Sequence, residues 1–118
     1  MIIRNLNHPE VRATRYRAHE GGIAHMILDT RHLQTIMFLA QASVPPGERL
    51  TSHSDPMEEI YIIQTGRGRM QVGAEDQEVG PGDAIHIPIG RFHELINIGD
   101  QELTILVVAG LIPGPGIS

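Results

Sequence analysis

The chain has 118 residues, a formal charge of −5, thirteen glycines, eight prolines and no cysteine. This length supports one domain around one core, and the missing cysteine excludes disulfides, thiolate metal sites and cysteine nucleophiles. The acidic balance, with two Phe, two Tyr and no Trp, argues against a nucleic-acid surface, which needs a basic face or stacking platforms.

Residues 1–22 carry Arg4, Arg12, Arg15 and Arg17 without a clear period, so they are expected as an N-terminal arm with a short strand or turn. They lack the apolar run and cleavage site of a signal peptide. No stretch approaches the ~18 apolar residues of a membrane span. A soluble, cytoplasmic protein is the resulting expectation.

From residue 23 the text reads as strands. "IAHMILD" (23–29) is the first. "TIMFLAQASV" (35–44) alternates, with Ile36, Phe38, Ala40, Ala42 and Val44 on one face. "PPG" at 45–47 breaks it. Side chains two apart on a strand share a face, so His53 and Asp55 are expected to project together, joined by Arg49 and Thr51 if the strand begins early. "EIYIIQT" (59–65) is apolar on both faces from Ile60 to Ile63, as in a strand covered on both sides. Glu59 shares its face with Tyr61, whereas Glu58 has the opposite parity. Then come "RMQV", "QEV", "AIHIP" (84–88), "FHELINI" (92–98) and "LTILVVAG" (103–110), each bounded by Gly, Pro or Asp. Many short strands without a convincing helix predict an all-β jelly roll or barrel over 23–110. "LIPGPGIS" (111–118) is too rich in Pro and Gly to continue a strand and is expected as a C-terminal tail.

Two stretches concentrate metal-ligand residue types. "GERLTSHSDPMEEIYIIQTG" supplies Gly47, His53, Asp55, Glu59 and Gly66, and "GDAIHIPIGRFHELIN" supplies Gly82, Pro88, Gly90, His93 and Asn97. These residues resemble the two motifs of the cupins, small metal-binding β-barrels. The first motif is G-x5-H-x-H-x3,4-E-x6-G, and Asp55 stands where its second His belongs. The second, G-x5-P-x-G-x2-H-x3-N, matches without a gap. The resemblance implies a double-stranded β-helix (jelly-roll barrel) and a metal site of His53, Asp55, Glu59 and His93.

Imidazole and carboxylate without sulfur suit one divalent transition metal, Fe, Mn, Ni, Zn or Cu. Asp55 has three open roles: a ligand that neutralises the site, a base beside bound water, or a mark of lost metal binding. Without it, His53, Glu59 and His93 form the two-His, one-carboxylate set of non-haem iron oxygenases. The leading expectation is therefore a dioxygenase acting on an oxygen-rich small molecule, with Asp55 and Glu59 as catalytic carboxylates. The alternatives are an isomerase, lyase or cyclase with Asp55 as base, and a non-catalytic module that binds a sugar or organic acid.

Arg49 and Arg91 are candidates for holding an anionic substrate, against salt bridges to Glu48 or Glu94. Tyr61 is a candidate to present its hydroxyl to the site. His19 and His25 join the site only if the arm folds over the barrel mouth, and His8, His32 and His86 are expected at the surface. The apolar "IYII" and "LTILVVAGLI" runs exceed what a small monomer easily covers, so a homodimer is expected.

Overall fold

The computed structural model describes residues 1–110; the expected tail lies outside them. Ten strands follow a four-residue helix, α1 (Pro9–Arg12). They are β1 (Tyr16–Ala18), β2 (Gly22–Leu28), β3 (Ile36–Val44), β4 (Arg49–His53) and β5 (Glu59–Thr65), then β6 (Gly68–Val72), β7 (Glu75–Val79), β8 (Ala84–Ile87), β9 (His93–Asn97) and β10 (Leu103–Gly110). They form two antiparallel sheets, ordered β1-β2-β3-β10-β5-β8 and β4-β9-β6-β7. This is the expected all-β jelly roll, with strand bounds within a residue or two of the sequence reading.

Alternation explains the core. Along β10 every second residue from Leu103 to Ala109 is buried, and its neighbours β3 and β5 bury the matching positions Ala40, Ala42, Tyr61 and Ile63. The four-stranded sheet adds Met70 and Leu95 from the opposite side. Burying each Ile, Leu or Val contributes about 1.5–3 kcal/mol, which makes this interior the main support for anything set at its rim.

Two features position the rim. Asn97 is buried at the end of β9, where its Nδ2 donates to the Val44 and Gln101 carbonyls at 2.8 Å each. It thereby fastens the β9–β10 turn to β3. At the other end of β9, Gly90 adopts φ +72, the left-handed region that glycine enters without a Cβ clash, and its N–H donates to the Asp55 carbonyl at 2.8 Å. The turn before β9 thus holds the loop between β4 and β5.

The N-terminal arm differs from an irregular segment. α1 packs on β2, with Val11 fully buried, and β1 pairs with β2 at the sheet edge. The chain then crosses β4 through a Glu20–Leu50 bridge.

Candidate metal centre

Four side chains from three segments meet at the barrel mouth. One ligand atom each from His53, Asp55, Glu59 and His93 lies within 4.8 Å of the others. His53 ends β4, Glu59 opens β5 and His93 opens β9, and His53 and His93 are register partners. Asp55 lies in the loop beyond β4 rather than on the strand. Its Oδ2 is 3.3 Å from His53 Nε2 and 3.9 Å from His93 Nε2, and Glu59 Oε1 is 3.6 Å from His93 Nε2. Ligand atoms about 2.1 Å from one ion stand roughly 3–4 Å apart, so the spacing suits a shared cation.

The tautomers point the same way. His53 Nδ1 lies 2.7 Å from the Thr51 carbonyl and His93 Nδ1 lies 3.0 Å from that of Arg91. A carbonyl only accepts, so each Nδ1 carries the proton and each Nε2 offers a lone pair. This backbone anchoring is the usual support of metal-binding imidazoles. His53 Nε2, His93 Nε2 and Glu59 Oε1 are buried and have no hydrogen-bond partner. Buried polar atoms without partners are rare and costly, and three of them aimed at one point fit a divalent ion bound by the set.

Electrostatics add to this. Burial and the neighbouring Asp55 push the Glu59 carboxyl up to about 8. A bound cation would reverse that balance, because it favours the carboxylate. Burial holds His93 below the ordinary imidazole value, which keeps it neutral and able to ligate.

The expected strand face is corrected at β4. Strict alternation put Arg49 and Thr51 beside His53, but the β4–β9 register shifts between Leu50 and His53. Leu50 and His53 therefore both turn inward. Arg49 points away and pairs with Glu94 at 3.5 Å. Arg91 lies elsewhere too: its side chain crosses Gly73 and lines a cavity of about 390 Å³ between β6–β7 and β8, with Met70, Val72, Ile85 and Pro88. None of the four cluster residues lines that cavity. Tyr61 is buried, with its ring edge-on to His93 at 5.8 Å, and it lines a second cavity of about 60 Å³ with Glu59, Tyr16 and His19.

The arm does reach the mouth, but of His19 and His25 only His19 arrives there. His19 stacks on His53 with centroids 3.4 Å apart and planes 9° from parallel. His25 sits beneath α1 on the far face of β2, where burial and then Arg12 and Arg15 hold its imidazole below the ordinary value. His8 and His86 lie at the surface as expected, the latter 2.6 Å from Glu58, whereas His32 is half-buried and its Nδ1 accepts from the Asp29 N–H at 3.2 Å. Tyr16 escaped the sequence reading, since a tyrosine in an aperiodic arm carries no signal of where the arm folds.

The family model for the cupin domain, Cupin_2, matches residues 40–109. The chain belongs to the cupin family. Among its relatives is the uncharacterized protein MJ1618 of Methanocaldococcus jannaschii, 45% identical over 69 residues that cover 58% of this chain and 55% of that one. This cupin thus spans about half the length of that curated relative. Among solved structures it resembles a predicted oxalate decarboxylase of Thermotoga maritima, with TM-score 0.68 and 25% identity over 82% of this chain and 90% of that one. It also resembles the polyketide cyclase RemF of Streptomyces resistomycificus, with TM-score 0.69 and 25% identity over 80% and 70% of the two chains. Among the described residues, no helix of the cupin is long and apolar enough to cross a membrane.

Proposed function

We propose that this cupin is a metal-dependent enzyme acting on a small oxygen-rich molecule by redox-neutral chemistry, as a lyase, isomerase or cyclase. The observation that carries the metal reading is the convergence of three partnerless buried ligand atoms, on His53, Glu59 and His93. Asp55, whose carboxylate lies beside these atoms without being one of them, favours the redox-neutral form, because a carboxylate left off the ion is free to act as a base. The likeness to a predicted oxalate decarboxylase and a polyketide cyclase supports the same reading.

The bound ion would supply Lewis acidity, polarising an oxygen of the substrate. The chain's own residues do the rest. His53 and His93 are locked by their Nδ1 bonds, and Glu59 balances charge from a buried position. Asp55, with its side chain 24% exposed, is the carboxylate open enough to accept a proton from substrate and return it. Tyr61 fills the wall behind His93 and keeps water from that side. Neither arginine faces the cluster, since Arg49 is engaged by Glu94 and Arg91 lines the separate larger cavity, so an anionic group of the substrate is held by the ion.

A dioxygenase is the second reading, carried by the two-His, one-carboxylate subset His53, Glu59 and His93. Oxygen uptake separates the two. Metal-loaded protein should turn over oxalate or an enolisable β-dicarbonyl compound without consuming O2, and Asp55→Asn should lower that rate by on the order of 10²-fold or more. Stoichiometric O2 consumption would instead establish the dioxygenase, and binding without turnover a storage or sensing module.

We infer as well that two copies pair through the outer face of the six-stranded sheet. There Leu39, Val108 and Ile60 lie in one register row and Leu106 and Ile62 in the next, and Ile60 is 40% exposed.

A further inference from the structure

His19 is the feature that the metal cluster leaves unexplained. Its backbone has φ +44, and that of Glu20 has φ +69, two consecutive non-glycine residues in the left-handed region. The His19 carbonyl accepts from the N–H of Gly21 at 2.9 Å and of Thr51 at 3.1 Å. Gly21 follows so tightly that a Cβ there would overlap the Arg49 backbone. The segment "HEGG" is therefore held against β4 in one conformation, and that conformation lays the His19 ring on His53.

The stack also fixes what His19 is able to do. An imidazole lone pair lies in the ring plane, and the two rings are stacked nearly parallel with their centroids 3.4 Å apart. An ion in the plane of His53 thus lies one ring thickness outside the plane of His19, which is not a ligand in this arrangement. No ring nitrogen of His19 has a hydrogen-bond partner among the described residues, whereas His53 and His93 each spend Nδ1 on a carbonyl. His19 instead borders the cavity of about 60 Å³ that it shares with Glu59, Tyr16 and Tyr61. The rest of its lining is Ala, Phe, Leu and Val side chains, so polar groups gather only on the side where His19 and Glu59 stand, and the space admits only a small group.

We propose that His19 is a substrate-recognition residue. Layered on His53, its imidazole donates a hydrogen bond to an oxygen of a small carboxylate or hydroxy-carbonyl compound seated at the cluster. The inference rests on the metal-centre reading above and adds the group that reads the ligand's oxygen from the arm side. The ring plane and the tight crossing at Gly21 set its reach, so recognition depends on the arm as well as on the barrel.

The test uses full-length protein loaded with Co(II), with oxalate as the probe. Metal content is measured by elemental analysis, and oxalate affinity by titration of the Co(II) absorption bands. His19→Phe keeps a flat ring for the stack but no donor, and His19→Gln keeps a donor but no ring. The expected result is full Co(II) occupancy in both. Oxalate binding weakens on the order of tenfold or more in His19→Phe and falls less in His19→Gln. Unchanged oxalate affinity in His19→Phe, or loss of Co(II) from both variants, would overturn the recognition role while leaving the metal centre standing. Wild-type protein that takes up no Co(II) would instead remove the metal reading and this inference with it.

Discussion

Glu59 shows how a single position both advertises the site and strains it. Its carboxyl opens an apolar strand, is almost fully buried and faces Asp55. Its folded-state pKa of about 8 lies above the ordinary 4.5. Between those values this carboxyl binds more protons in the folded than in the unfolded state, so its contribution to stability falls as pH rises through that window. Between pH 5 and pH 8, metal-free wild type should therefore lose stability relative to Glu59→Gln, because the lowered imidazoles of His19, His25 and His93 contribute alike to both. Thermal unfolding followed by circular dichroism at a series of pH values checks it; a slope unchanged by the substitution would place the proton elsewhere. The Glu59, His53 and His93 positions were legible because motif spacing survives in the text. Arg49 was misplaced because a one-residue register shift inverts strand parity, and nothing in "RLTSH" announces that shift.

At the scale of elements, the turns do as much as the strands. Gly90 ties the β8–β9 turn to the Asp55 loop, and Asn97 ties the β9–β10 turn to β3. Asn97→Ala leaves the buried Val44 carbonyl without its donor and should cost roughly 1–3 kcal/mol, read from denaturant unfolding. Gly21→Ala should cost about 1–3 kcal/mol by overpacking while leaving the ten-strand circular dichroism signature, because the clash lies between the arm and β4. If that variant matches wild-type stability, the arm crossing is looser than described. The strands themselves were legible from alternation and from Gly, Pro and Asp punctuation. α1 was not, since four residues are too few to show a helical period, and the arm's path depends on Val11 finding a pocket that only the folded sheet provides.

For the whole molecule, the two sheets divide labour. Their facing sides make the core that fixes the cluster, and the outer side of the larger sheet carries the apolar rows around Ile60, Leu106 and Val108. A dimer through that face predicts twice the chain mass of 13.0 kDa by light scattering at micromolar concentration, and monomer for Ile60→Lys. A wild-type monomer would contradict it. The jelly roll was legible as a class from the run of short strands, and in detail from two spaced motifs. The convergence of those motifs on one point is a property of the closed fold, invisible to any local window. Metal content of purified protein, measured beside His53→Ala and His93→Ala, tests that convergence most directly. One divalent ion per wild-type chain, lost from both folded variants, is the expected result; retention in both, or no ion in the wild type at saturating metal, would contradict it.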